Sequence, residues 1–175
     1  MSASRIIYGV QPVLEALRSA KTDRVYIARD GGPQTRRIVD AAQQAGVKLV
    51  RVAAKELDQR AGTANHQGVV ADLDRSEVEF VEVETILDRA DAAGEPALVL
   101  LLDGIQDPQN LGAILRSAHA LGAHGVVIPK NRAATVTPAV IRASSGAALH
   151  VPIARVTNLK HALDRLAEAG VWSAA

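Results

Sequence analysis

Apolar positions recur at helical spacing over 9–20, where Val13, Leu14 and Leu17 share a face and Pro12 suits a first turn. The apolar run 25–29 predicts a strand, and Gly31-Gly32-Pro33 marks a turn. From 34 to 45 the helical period returns in Ile38, Val39, Ala42 and Ala45, and Gly46 stands where a helix exit favours glycine. Residues 48–52 alternate as a strand, 54–61 predict a short helix, and 68–73 predict a third strand. The order α-β-α-β-α-β predicts a small, complete α/β sandwich over 1–75.

Residues 76–84 alternate acidic and apolar side chains, as an extended connector or an edge strand does. A helix over 85–93 is closed by Gly94-Glu95-Pro96, and the domain boundary falls within 75–84. The near-continuous apolar run 97–103 predicts a strand buried on both faces of a parallel sheet. Then come a helix over 110–122, a strand over 126–129, a helix over 137–143, a strand over 151–155 and a helix over 158–169 ended by Gly170. This β-α-β-α-β-α order predicts a doubly wound parallel sheet. Val171-Trp172 reads as the opening of a further strand, because a helix that has crossed a parallel sheet needs a strand to return to. On that reading the second sheet is cut in mid-unit. The expected units are 1–75, an acidic linker and helix over 76–96, and a partial α/β domain over 97–175.

Composition narrows the chemistry. With 48% apolar and 22% charged residues the chain is an ordinary globular one. It has no cysteine, which excludes disulfides, a Cys-zinc site and a thiol nucleophile. No apolar run reaches about 18 residues, and the N-terminus has no signal-peptide pattern, so a cytoplasmic protein is expected. The aromatics are Tyr8, Tyr26, Phe80 and Trp172, too few for a sheet that stacks RNA bases.

The net charge of +1 hides a block structure. Residues 1–75 carry 12 basic and 8 acidic groups, 76–103 carry 1 and 8, and 104–175 carry 7 and 3. Two basic blocks thus flank an acidic connector. This is either a solvated linker between mildly basic domains, or a sign that both blocks meet a polyanion such as nucleic acid.

Ligands of open α/β sheets sit outside the carboxyl ends of the strands, which points to the loop 103–110. It is neither a Walker loop nor G-x-G-x-x-G. Asn110 is a helix cap or a ligand contact, and Asp103 and Asp107 favour the helix N-terminus electrostatically. Arg116 lies opposite the core face formed by Leu111, Ile114, Leu115, Ala118 and Leu121; alone it is a solvated arginine, unless a second surface packs over it. His66, His119, His124 and His161 have no i, i+4 partner, so no metal site is expected. His66 contacts RNA or bridges backbone groups of its own loop. Lys130, Arg132, Arg142 and Ser144 suit phosphate contacts, or else belong to a surface loop and a packed helix end.

Residues 103–118, DGIQDPQNLGAILRSA, resemble the first motif of the SpoU (TrmH-type) RNA ribose 2′-O-methyltransferases, with its Asn at Asn110 and its Arg at Arg116. The stretch 143–152 resembles the Ser-x-Gly-Ala segment that follows. Upstream, Tyr8-Gly9-Val10, Leu14-Glu15-Ala16-Leu17 and 66–71 resemble the small ribosomal-protein-like substrate-binding domain of the subgroup that methylates a guanosine of 23S ribosomal RNA. The resemblance covers essentially 5–172.

It implies an α/β substrate-binding domain followed by a partial SPOUT-type methyltransferase domain, S-adenosylmethionine as cofactor, ribosomal RNA as partner, a homodimer, and no membrane or metal. It implies Asn110 and Arg116 as catalytic residues and Ser144, Lys130, Arg132, Arg142 and His66 as substrate contacts. The family's second and third motifs, which build the trefoil knot and the cofactor pocket, have no counterpart in the 175 residues and are expected after them. This chain alone is therefore expected to be inactive. The alternatives are a non-catalytic RNA-binding fragment and an unrelated nucleotide-binding α/β domain; the latter calls for a glycine-rich phosphate loop, which the sequence lacks.

Overall fold

A computed structural model describes residues 6–19, 21–73 and 78–174. The first unit runs β1 (Ile6–Tyr8), α1 (Val10–Arg18), β2 (Thr22–Ala28), α2 (Pro33–Gln44), β3 (Lys48–Val52), α3 (Ala54–Ala61) and β4 (Val69–Leu73). Its sheet has the order β1-β4-β2-β3, with β4 antiparallel to both neighbours and β2 parallel to β3. Strand alternation sorts the side chains between two faces. Ile7, Val25, Ile27, Val69 and Ala71 share a core with Val13, Leu14 and Leu17 of α1 and Ile38 and Ala42 of α2. Tyr26, Val52 and Val70 face the other way, onto Leu57 of α3. The sandwich is the expected one, with one addition. The three-residue β1 precedes Gly9 and is too short to show a period of its own.

Residues 76 and 77 of the connector lie outside the described residues. Beyond them Val81 donates its N–H to Ile153 O at 2.9 Å, so the connector is pinned to the second sheet by an isolated bridge and is not an edge strand. Then follow α4 (Val83–Ala93), β5 (Val99–Leu101), α5 (Pro108–Ala120), β6 (Gly125–Pro129), α6 (Pro138–Ala143), a 3₁₀ turn (Ala147–Leu149), β7 (Ile153–Val156) and α7 (Leu159–Glu168). The second sheet is parallel, in the order β5-β6-β7.

Two expectations change here. The apolar run at 97–103 is not buried on both faces. Among the described residues β5 has one neighbour, so Val99 to Leu101 are half-buried and Leu98 is 46% exposed. Central β6, with Val126, Val127 and Ile128 at 0–1% exposure, takes the fully buried place. Residues 171–174 form no strand: Val171 N–H closes on Leu166 O at 2.9 Å, and Trp172 is exposed.

The two units meet over a shared core. One apolar cluster runs from Ile7, Val13 and Leu14 to Leu111, Leu115, Ile141 and Ala148. Helix α6 packs on β1, and α1 packs on the 3₁₀ turn.

Candidate functional site

The loop after β5 leads into α5, and its residues have distinct jobs. Asp107, not Asn110, caps the helix: its Oδ1 accepts the Gln109 N–H at 3.0 Å, and Pro108 supplies the first turn, where no amide is needed. Asn110 is therefore inside the first turn and exposed, and its amide is free of hydrogen bonds among the described residues. Lys130 and Arg132 leave the neighbouring carboxyl end, that of β6, and both are exposed. Ala134 N–H donates to Ile105 O at 2.8 Å, which ties this loop to the one after β5. Asn110, Lys130 and Arg132 thus stand along one edge of the parallel sheet, where its loops open to solvent.

Arg116 belongs to a different place. Six residues after Asn110 it is about 9 Å further along the helix and about 120° round it. Its face is set by Gly112, one turn earlier. A β-carbon on Gly112 would stand 2.4 Å from Ala143 Cβ, so α5 touches α6 with no side chain between them. Arg116 and His119 follow on toward the same flank. Its guanidinium is exposed and unpaired among the described residues, as the helical wheel predicts. A second surface does pack beside it, however. Arg116 lines a cavity of about 200 Å³ with His119, Ser145 and His150 of its own domain and Gln11 and Glu15 of α1.

The walls of this cavity are held by contacts across the domain boundary. Glu15 Oε2 lies 3.0 Å from His150 Nε2. Glu15 Oε1 accepts from Arg18 Nη1 at 2.7 Å and from Gln11 Nε2 at 3.2 Å. The His119 and His150 rings stack, with centroids 5.5 Å apart and planes at 21°. Gly146, at φ +92°, lets the turn approach α1, since a β-carbon there would fall 2.4 Å from Glu15 Cβ. The Arg142 guanidinium sits over the Tyr8 ring at 4.3 Å, a second bridge between the units.

The remaining expected substrate contacts are spent internally. Ser144 is fully buried; its Oγ donates to Ile141 O at 2.9 Å and accepts from Ala148 N–H at 3.1 Å, bracing the end of α6. His66 is 6% exposed, with Nε2 on Asp58 Oδ1 at 2.9 Å and Nδ1 accepting the Gly68 N–H at 3.0 Å. Next to it, Gln67 Oε1 accepts the Val10 N–H at 2.8 Å. The 66–68 loop therefore braces α1, and His66 offers no free ring nitrogen to RNA. Ser144 and His66 thus both make hydrogen bonds within the protein, in the helix end and the loop to which they belong. Sequence reasoning missed Glu15 and His150, which are 135 positions apart and carry no shared periodicity.

Among the described residues no group of His, Asp and Glu is arranged to hold a metal ion, and no helix is long and apolar enough to cross a membrane. S-adenosylmethionine does not fit the Arg116 cavity, because sites for ligands of that size run to about 300–1,000 Å³.

Residues 6–79 match the family model described as RNA 2′-O ribose methyltransferase substrate binding, and residues 97–175 match that of the SpoU rRNA Methylase family. The chain is 39% identical over 168 residues to the putative TrmH family tRNA/rRNA methyltransferase YacO of Bacillus subtilis strain 168, covering 95% of this chain and 66% of that protein. It is 39% identical over 175 residues to the 23S rRNA (guanosine-2′-O-)-methyltransferase RlmB of Coxiella burnetii, covering 98% and 69%. The chain thus spans about two thirds of the length of these relatives. Among solved structures, the AdoMet complex of the SpoU methyltransferase AviRb of Streptomyces viridochromogenes superposes with a TM-score of 0.66 at 25% identity, covering 94% of this chain and 58% of that one. A crystal structure of an RNA 2′-O ribose methyltransferase reaches a TM-score of 0.68 at 23% identity, covering 95% and 61%.

Proposed function

The chain belongs to the SpoU rRNA Methylase family, and from that premise we propose that it acts on RNA as part of a ribose 2′-O-methyltransferase, with a guanosine of 23S ribosomal RNA as target. One observation carries the reading: the family's two units occur in order, and Arg116, unpaired among the described residues, lines the cavity between them. When bound, S-adenosylmethionine supplies an electrophilic methyl group on a sulfonium.

The chain's own residues serve the acceptor. A ribose 2′-hydroxyl is a weak nucleophile, and negative charge grows on its oxygen as the proton leaves. Arginine stays protonated, so Arg116 is a poor base and a good electrostatic partner for that oxygen or for the adjacent phosphate. Asn110, with its free amide at the sheet edge, orients the nucleotide. Lys130 and Arg132 hold RNA phosphates from the next loop, and the basic first unit adds sequence-independent attraction. Arg142 joins the two units through Tyr8. A homodimer working in the cytoplasm completes the reading.

The test joins the chain to the part of its RlmB relative that it does not span, and incubates the product with radiolabelled S-adenosylmethionine and unmethylated 23S ribosomal RNA, followed by alkaline hydrolysis. A 2′-O-methyl group blocks attack of that oxygen on the neighbouring phosphate. Label retained in alkali-resistant dinucleotides, and lost in Arg116→Ala, supports the proposal. Label carried on a base, or transfer indifferent to Arg116, overturns it.

A further inference from the structure

The cavity beside Arg116 contains more chemistry than the proposed function uses. Glu15 reaches it from α1 and fixes the His150 ring through Nε2 at 3.0 Å, while Arg18 and Gln11 hold the carboxylate in turn. In the neutral ring, the Nε2 proton directed at Glu15 leaves Nδ1 as the acceptor. Nδ1 has no partner among the described residues, and the side chain is 27% exposed. The His119 ring stacks beside this one, with centroids 5.5 Å apart. Arg116 adds a cation that nothing in the protein neutralises among the described residues.

A fixed acceptor, a free guanidinium and the Ser145 hydroxyl in about 200 Å³ match a sugar hydroxyl next to a phosphate. We propose that this interdomain cavity is a ribose–phosphate subsite that distinguishes RNA from DNA. His150 accepts the 2′-hydroxyl proton in a hydrogen bond, Arg116 takes the phosphate, and Glu15 of the first unit is the positioning residue that holds His150. The inference rests on the RNA reading above and adds residues from the substrate-binding domain to the nucleotide's site. It also gives α1 a reason to meet the 3₁₀ turn: without Glu15 the imidazole would be free to rotate.

The experiment uses the 175-residue chain and needs no methyl transfer. Guanosine 3′-monophosphate, 2′-deoxyguanosine 3′-monophosphate and inorganic phosphate are titrated while the histidine ring signals are followed by NMR. The ribonucleotide should move His119 and His150 and leave His161, exposed on α7, in place. The deoxynucleotide should bind about threefold to tenfold more weakly, the span of one hydrogen bond. His150→Phe keeps the stacking plane and should bring that ratio to about one. Glu15→Ala should do the same, with Glu15→Asp restoring part of it. A purely structural role for Glu15 would weaken both nucleotides equally. Arg116→Ala should weaken all three ligands and keep the ratio between the nucleotides.

Because Glu15 and His150 are partly buried, His119→Ala, at an exposed position, serves as the variant safe for folding. It should weaken nucleotide binding with an unchanged melting temperature. Equal affinity of the wild-type chain for the two nucleotides overturns the proposal. A fragment of 23S ribosomal RNA that binds while His119 and His150 stay unmoved overturns it and leaves the RNA reading standing. Failure of both the RNA and the ribonucleotide to bind overturns both.

Discussion

Gly112 and Ala143 stand so close that a methyl group on the glycine would lie 2.4 Å from the alanine Cβ. This contact sets the roll of α5 against α6, and so the direction in which Arg116 leaves the helix one turn later. Gly112→Ala should cost about 1–3 kcal/mol through overpacking, and Gly112→Val more. For a chain of this length that is about 2–4 °C of melting temperature per kcal/mol, read by thermal denaturation. An unchanged melting temperature would mean that α6 yields freely and does not fix Arg116.

His66 and Ser144 should behave as braces. His66→Ala removes the bonds to Asp58 and the Gly68 N–H in a nearly buried place, and Ser144→Ala orphans the buried Ala148 N–H. Each should cost about 1–3 kcal/mol in urea unfolding. RNA affinity at a temperature where the variant is fully folded should stay that of the wild type. A stable His66→Ala protein with weakened RNA binding would restore the histidine to the RNA surface.

Much of this fold could be read from the sequence because its elements are local. The runs at 48–52 and 54–61 coincide with β3 and α3, since an alternating strand and an amphipathic helix each announce their own period. What could not be read is what depends on a neighbour. The run at 97–103 has the composition of a central strand, and only the sheet order makes it an edge. Asn110 and Asp107 are both good caps in isolation, and Asp107 takes the role with Pro108 in the first turn behind it. Arg116 was legible as a residue opposite the core face, but the cavity beside it was not, because two of its walls come from α1, about a hundred positions earlier in the chain.

The stacking of Arg142 on Tyr8 should contribute to docking of the two units. A double-mutant cycle with Arg142→Ala and Tyr8→Leu, followed by urea unfolding, should give a coupling of about 0.5–1 kcal/mol. Leucine keeps the apolar bulk and removes the ring face. Zero coupling together with a salt-dependent loss of RNA affinity in Arg142→Ala would return Arg142 to the phosphate-binding role that the sequence suggested.

Arg116 separates stability from function most cleanly. Its guanidinium is exposed and unpaired among the described residues, so Arg116→Ala should change unfolding free energy by no more than about 0.5 kcal/mol. RNA binding measured across a range of salt concentrations should respond more. Loss of one phosphate contact weakens affinity and lowers the slope of log affinity against log salt by about one unit. Arg116→Lys keeps the charge and should keep the slope, but it loses the planar fork that can grip two oxygens at once. If the same group also stabilises charge that grows only during methyl transfer, turnover at saturating RNA, measured with the family's remaining motifs joined to the chain, should fall about a hundredfold or more in Arg116→Ala, beyond the loss in binding. Lysine should then recover affinity without recovering turnover. A lysine variant that recovers both would reduce Arg116 to a point charge for a phosphate. An alanine variant with wild-type slope and wild-type turnover would make it the solvated surface residue that its helix alone suggests.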